Sequence, residues 1–418
     1  MTKHTPTTKR SRRQKLLLGS SLLLAVGITL AGCTATGTPS ITGSSSGSST
    51  TSASGTTTVA AASTKVTESD AATTEETVDN TTTAVEAFLA TLSDEQVEAV
   101  TYDYDDETKT TSWSNFPVTF VQRAGLNIAD LSEAQQIAAM QVMEALLSDD
   151  GYQQVVDIIG GDQYLKENSS STEQSLGQYY IAFFGDASAT SAYEVQFGGH
   201  HLGINATLDG SSNAITFAPT HLGMQPAVYE DSDGDQVQTF GSIYEDAFAF
   251  YDSLTTAQQE TLTSGDVTMC APGDTCDSTT GSGLSGSDLS DEQRDLLLDL
   301  IANWSGMADA ESATTTRAEI EATLDDTVIA WSGETTYDLS SGDGINFSVS
   351  GPNVYVGFQS QNGSAGADVD GVSTSGWGHV HTIYRDPSND YANSVEQQSA
   401  SNGTGGGAPA GGAPGNDS

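Results

Sequence analysis

The chain has 418 residues, with 56 Asp and Glu against 13 Lys and Arg, and a formal charge of −43. Six of the basic residues (Lys3, Lys9, Arg10, Arg12, Arg13 and Lys15) precede Leu16, so the remainder sets seven basic residues against 56 acids. Such a chain has no basic surface to displace the counterions of nucleic acid or anionic lipid head groups, which excludes both as electrostatic partners.

The basic leader is followed by an apolar run from Leu16 to Ala31 that ends in Leu30-Ala31-Gly32-Cys33. This order is that of a lipoprotein signal peptide: the basic segment stays in the cytoplasm, and small residues before a cysteine admit the peptidase to a diacylated thiol. The run is short for a transmembrane anchor. The expectation is a bacterial lipoprotein with residues 1–32 removed, Cys33 lipidated, and the chain held at the cell envelope, on its periplasmic or extracellular face, by that lipid. Ser11-Arg12-Arg13-Gln14-Lys15-Leu16 also resembles a twin-arginine export signal, except that Lys15 stands where an aromatic residue is usual.

Residues 33–83 are mostly Ser, Thr, Gly and Ala and read as a flexible tether. Residues 393–418, Gly-rich with Ala, Ser, Pro and Asn, read as a disordered tail. Between them, 84–392 is long enough for one domain with a substantial core.

Four segments in that region share a helix-start pattern: Leu92-Ser93-Asp94-Glu95-Gln96, Leu131-Ser132-Glu133-Ala134-Gln135, Leu254-Thr255-Thr256-Ala257-Gln258 and Leu289-Ser290-Asp291-Glu292-Gln293. In each, a hydroxyl caps the first turn and Gln three residues later reaches back. Apolar residues recur at helical spacing after two of them: Ile137, Met140, Met143 and Leu147, then Leu296, Leu297, Leu300 and Ile301. The boxes alone do not establish an internal repeat, because the sequence between them does not match. Strand alternation marks Tyr193, Val195 and Phe197, then Ile215-Thr216-Phe217. It returns at Val328 to Trp331, at Ile345, Phe347 and Val349, at Val354, Val356 and Phe358, and from His379 to Arg385. The fold class is α+β, a helical N-terminal half with a mixed or antiparallel sheet built from central and C-terminal strands.

Cys270 and Cys276 are the only cysteines besides Cys33 and, in an oxidising compartment, are expected to close a small disulfide loop. Asp231-Ser232-Asp233-Gly234-Asp235 opens like a calcium loop but fails the EF-hand pattern at Gln236 and Ser242. No nucleotide loop or Ser-His-Asp order stands in convincing context.

Beyond the leader the histidines fall in three places: His200-His201, His221, and His379 with His381. A strand puts His379, His381 and Arg385 on one face, and two imidazoles at that spacing can share one metal ion if another ligand comes from elsewhere. Gly198 and Gly199 permit a bend that frees a ring of the preceding group. All five histidines are therefore candidate ligands, with Zn or Cu favoured by imidazole-rich coordination. Arg385 has two readings: it binds a carboxylate or phosphate of a small anionic ligand, or it is locked by Asp386 or Asp390 in the turn that follows.

Trp113-Ser114-Asn115-Phe116-Pro117, Gly198-Gly199-His200-His201-Leu202 with Asn205, Leu324-Asp325-Asp326 through Trp331-Ser332-Gly333, and His379-Val380-His381 through Arg385-Asp386-Pro387 to Asp390-Tyr391 together resemble the bacterial family called domain of unknown function 3500. The resemblance spans most of 84–392 and brings no activity with it. Trp113 and Asn205, within its motifs, join Arg385 as candidate ligand-binding residues. Gln225 stands where the resemblance leads one to expect Glu.

Two functions fit these residues. One is a metal-dependent hydrolase or oxidase of the envelope, with histidines holding the ion, Arg385 orienting an anionic small molecule, and Asp386 or Asp390 moving protons. The other is a non-enzymatic lipoprotein that binds or carries a transition metal or small ligand. An open coordination position beside a pocket favours the first, and a closed or exposed site the second.

Overall fold

The computed structural model describes residues 73–396 apart from 170–173, 175, 263–266, 275, 277, 279–282, 340–341 and 362–376. The expected signal peptide, Cys33, the tether up to residue 72 and the tail beyond 396 lie outside the described residues. Among those described, no helix is long and apolar enough to cross a membrane.

The first helix, α1 (Thr74–Leu89), starts inside the segment read above as tether. Its buried stripe is Thr74, Thr77, Val78, Thr81, Thr82, Val85 and Phe88. Threonine can fill such a stripe when its hydroxyl is bonded: Thr74 donates to Asp309 Oδ1 at 3.1 Å, and the Thr82 and Tyr193 hydroxyls lie 3.1 Å apart. A composition typical of a linker thus conceals a packed helix, and the domain begins at about residue 73 rather than 84. At the other end, Ser394 accepts a hydrogen bond from the buried Lys109 at 3.0 Å, so order runs slightly past the expected start of the tail.

Among the described residues the remaining helices are α2 (Asp94–Val100), α3 (Glu133–Leu146), α4 (Asp149–Asn168), α5 (Gly241–Ser253), α6 (Thr256–Gln259), α7 (Asp291–Ser305) and α8 (Ala310–Glu321). All four capping boxes form, with the cap backbone N–H donating to the Gln side chain at 3.0 Å for Ser93, Ser132 and Ser290 and 2.9 Å for Thr255. Each stabilises its helix start by about 1 kcal/mol.

Strands are β1 (Thr101–Tyr102), β2 (Leu126–Asn127), β3 (Tyr180–Phe184), β4 (Ala192–Gly198), β5 (Leu202–Asp209), β6 (Ala214–Thr216), β7 (Thr220–Met224), β8 (Val228–Glu230), β9 (Gln236–Gln238), β10 (Leu284–Ser285), β11 (Val328–Gly333), β12 (Ile345–Ser350), β13 (Tyr355–Ser360) and β14 (Val380–Arg385). Among the described residues twelve of them form one mixed sheet in the order β1-β3-β4-β5-β7-β14-β13-β12-β11-β10, with β2 on β3 and β6 on β5. Of these described pairings, only β1 with β3 is parallel. The two strand groups of the sequence therefore join one sheet, at the β7–β14 pairing, and the fold is α+β.

The chain runs through one architecture twice. Helix, short helix, two-residue strand, 3-10 turn, helix, helix and four strands occur from α1 to β7 and again from α5 to β14, with β1, a 3-10 turn at Glu107–Thr110 and β6 as additions in the first half and a 3-10 turn at Leu324–Asp326 in the second. In both halves the first helix packs on the third, α1 on α3 and α5 on α7. The capping-box glutamines also pair within each half: Gln135 Nε2 donates to Gln96 Oε1 at 3.1 Å and to Thr91 O, while Gln293 Nε2 donates to Gln258 Oε1 at 3.0 Å and to Ser253 O. Gly125 and Gly283 occupy matching close approaches, since a Cβ would fall 1.9 Å from Ile181 O in one and 2.1 Å from Ile329 O in the other. The sequence boxes were thus the visible trace of a repeat that backbone contacts preserve.

One face of the sheet carries the helices and the main core, including Phe88, Met140, Ile158, Phe197, Leu222, Trp304 and Phe358. The other face is covered by loops, with Trp113, Met269, Cys270, Ala271, Tyr355 and Ile383 packed together. Cys270 and Cys276 are disulfide-bonded in that layer.

Candidate metal centre

His200 and His201 form the two-residue turn between β4 and β5, closed by the Gly199 N–H donating to Leu202 O at 2.8 Å. The matching turn of the second half, closed by Gly351 N–H to Val354 O at 2.7 Å, carries Pro352-Asn353 instead. The repeat is broken at the residues with metal-binding chemistry. Pairing of β7 with β14 sets Gly223 opposite His381, and the Gly223 N–H donates to His201 O at 2.7 Å. This brings the turn against the start of β14, where His379 and His381 project to the loop-covered face.

The imidazoles converge. His379 Nε2 lies 3.0 Å from His381 Nε2 and 3.5 Å from His201 Nε2. Two nitrogens bound to one ion at about 2.0–2.1 Å in tetrahedral geometry stand roughly 3.3 Å apart, so both spacings suit a shared metal. Ring nitrogens of His200, His201 and His381 also fall within 4.8 Å of one another and form a group that could hold a metal ion. His200 Nδ1 and His381 Nδ1 are buried and have no hydrogen-bond partner among the described residues. A core histidine with a purely structural role is normally bonded, because an orphaned buried polar group costs about 1–3 kcal/mol.

Asp162 on α4 fixes one ring. Its Oδ1 lies 2.5 Å from His201 Nδ1, and its Oδ2 accepts from the Tyr179 hydroxyl at 2.7 Å. An ionised carboxylate only accepts, so the His201 proton sits on Nδ1 and the Nε2 lone pair faces the cluster. Burial pushes the Asp162 carboxyl up to about 6, opposed by His200 and by the Tyr179 hydrogen bond. Burial, reinforced by neighbouring imidazoles, holds His201 and His379 down to about 3, and His200 and His381 well below their ordinary value. The rings are neutral at pH 7, as ligands must be.

His221, a candidate ligand by sequence, plays another part. Its Nδ1 donates to Thr382 O at 2.7 Å, its Nε2 lies 3.2 Å from His200 O, and its ring stacks on His381. Both nitrogens face backbone carbonyls because the β7–β14 register sets His221 beside Ile383 rather than at the strand end. It supports the cluster instead of joining it.

The other candidates stand apart. Arg385 lies four residues beyond His381, about 13 Å along the strand. Its Nε donates to Asp390 Oδ2 at 2.6 Å, its Nη1 donates to Cys270 O, and Asp390 Oδ1 accepts from the Asp386 N–H at 3.0 Å. Asp386 accepts from the Ser388 backbone at 2.9 Å. The second reading of Arg385 is the observed one, and Asp386 and Asp390 hold the turn rather than move protons at the histidines. Trp113 donates to the Tyr391 hydroxyl at 2.8 Å, and Asn205 accepts from Gln196 at 2.7 Å while donating to Pro219 O at 2.9 Å. Their polar atoms are used inside the fold because that face of the sheet is covered.

Asp162 and Tyr179 were not singled out in the sequence. A signal existed for Asp162, which continues the buried stripe of Val155, Ile158 and Ile159 toward Leu165. An acid on an apolar stripe needs a partner.

The family model described as a protein of unknown function (DUF3500) matches residues 74–393. The chain belongs to the DUF3500 family. The match starts with α1, in agreement with the corrected domain boundary, and includes both halves of the repeat. In this DUF3500 chain three of the motifs behind the resemblance lie along the loop-covered face, with Trp113 and Asn205 within it, the His200-His201 turn at one end and Arg385 with Asp390 at the other, while Leu324 and Trp331 of the fourth pack in the main core. No curated protein and no solved structure matches the chain.

Proposed function

We propose that this protein is an exported lipoprotein, anchored at the cell envelope through Cys33, whose histidine cluster holds one transition-metal ion, Zn or Cu, and uses it for hydrolytic or oxidative chemistry on a small anionic molecule. The observation that carries the metal reading is the gathering of buried imidazoles: His379 Nε2 lies 3.0 Å from His381 Nε2 and 3.5 Å from His201 Nε2, and ligand atoms of His200, His201 and His381 lie within 4.8 Å of one another. Where three of the four neutral imidazoles bind, a further coordination position stays open, and a carboxylate behind a ligating imidazole, as Asp162 stands behind His201, orients the ring and raises its basicity. Imidazole-rich ligation favours Zn and Cu. The enclosure of the ligands, with His201 0% and His381 2% exposed, meets the closed-site criterion given above and supports the second reading, a protein that holds or carries the ion without catalysis.

The test is elemental analysis of untagged protein from its native envelope, together with His381→Ala. About one equivalent of Zn or Cu, lost in the variant, is the expected result. Protein without metal above background, or a variant that retains it, would sink the metal reading. For the anchor, Cys33→Ser should abolish fatty-acid labelling and leave an unprocessed precursor; continued labelling would refute it.

A further inference from the structure

Arg385, the anion-binding candidate of the sequence, is committed to Asp390, so any anion at the histidine cluster must be recognised by another group. Gln225 follows β7, immediately beyond the β7–β14 register that sets Met224 opposite Val380. Gln225 is the first residue past the strand; β7 ends at Met224, which packs into the helix-covered core, while Gly223 before it faces the other side. That face is the histidine face, because a Cβ at Gly223 would stand 3.2 Å from His201 Cδ2. The paired register ends at Met224 and Val380, so Gln225 leaves the sheet next to the residue opposite Val380, which is itself the chain neighbour of His379. The Gln225 carbonyl also borders Gly161, next to Asp162. The side chain is 4% exposed, and its Nε2 is buried with no hydrogen-bond partner among the described residues.

A buried primary amide with an idle donor costs stability unless something fills it, and none of the described protein groups does. The coordination sphere explains what would. Imidazoles are neutral, so an ion held by His201, His379 and His381 keeps its full charge apart from the Asp162 carboxylate one ring away. Such an ion draws an anion to its open position, and a fixed N–H beside that position selects an anion able to accept a hydrogen bond. We infer that Gln225 is the anion-positioning residue of the histidine cluster, its side-chain amide donating to a small anion, such as a carboxylate or hydroxide, bound at the open position of the metal. This inference rests on the metal reading above.

The experiment loads the full-length protein with Cu(II), measures metal affinity by chelator competition, and titrates azide as the probe anion by visible spectroscopy. Gln225→Met keeps the volume and removes the donor. It should leave Cu(II) affinity within about threefold and weaken azide by about ten- to a hundredfold, the loss of one hydrogen bond to a charged acceptor. Gln225→Glu replaces the donor with a like charge and should weaken azide at least as much, which decides the matter if Gln225→Met does not fold. Equal azide affinity in wild type and variants, or no azide binding by the copper-loaded wild type, overturns the role while leaving the metal site standing. Loss of Cu(II) in Gln225→Met to the level of His381→Ala also overturns it, making the residue a ligand. A wild type that binds no Cu(II) removes the metal reading itself.

Discussion

His201 Nδ1 stands 2.5 Å from Asp162 Oδ1, a contact that ties the turn between two strands to the helix packed behind them. It fixes which nitrogen of His201 is left to face the cluster. Asp162→Asn should therefore lower metal affinity about ten- to a hundredfold with little change in far-ultraviolet circular dichroism. Chelator competition measures this, and an unchanged affinity would remove Asp162 from the site.

The buried rings make the metal-free protein acid-sensitive. In the folded state His201 and His379 are held at about 3 and His221 at about 4, against 6.5 when unfolded, so between these values the unfolded chain binds more protons. Their contribution is complete above 6.5 and is lost as pH falls. Asp162 opposes this, because its folded value of about 6 exceeds 3.8 and favours the folded state as pH drops. With His200 and His381 also held well below their ordinary value, five imidazoles oppose one carboxyl, so unfolding takes up several protons near pH 5 and stability falls steeply as pH drops through that range. Urea midpoints that stay level from pH 7 to pH 5 would contradict this.

Lys109 and Glu194 form an ion pair at 3.1 Å with both side chains fully buried, and burial pushes the Glu194 carboxyl up despite the ammonium beside it. Lys109→Met strands that carboxylate and should cost about 3–5 kcal/mol. Lys109→Met combined with Glu194→Leu should recover much of the loss. Equal stability of the single and double variants, measured by chemical denaturation, would show that the pair is not coupled.

Arg123 is a buried cation that donates to backbone carbonyls: Gly199 O from Nε at 3.2 Å and from Nη2 at 2.7 Å, Ser114 O at 2.8 Å and Phe116 O at 2.6 Å. Burial pulls it down to about 10. It clamps the residue that precedes His200. Arg123→Lys keeps the charge but loses the planar fork, and should cost about 1–3 kcal/mol and weaken metal binding along with stability. Unaltered thermal melting and metal affinity together would show that the clamp is dispensable.

The sequence by itself determined what depends on neighbours along the chain. Four hydroxyl-to-glutamine spacings fixed four helix starts, because a capping box closes within one turn. Alternation located most of the central and C-terminal strands, and the two histidines of β14 could be placed on one face before any partner strand was known. The grouping of the imidazoles pointed to a metal-binding centre, and the motifs around them to the family. Tertiary structure decided whatever depends on register or on what covers a face. The Thr-rich start of α1 reads as linker until Tyr193 and Asp309 are placed against it. Arg385 and Asp390 lie on a covered face, so they bond each other, while His221 turns its nitrogens to carbonyls because of a strand pairing invisible in either strand alone. Asp162 and Tyr179 come to His201 from a helix and a strand entry, and His379 and His381 reach the same place from a strand about two hundred residues further on. Local spacing encodes local hydrogen bonds, but the neighbours of a buried polar group are chosen by the packing of whole elements, and only the assembled sheet brings them within reach.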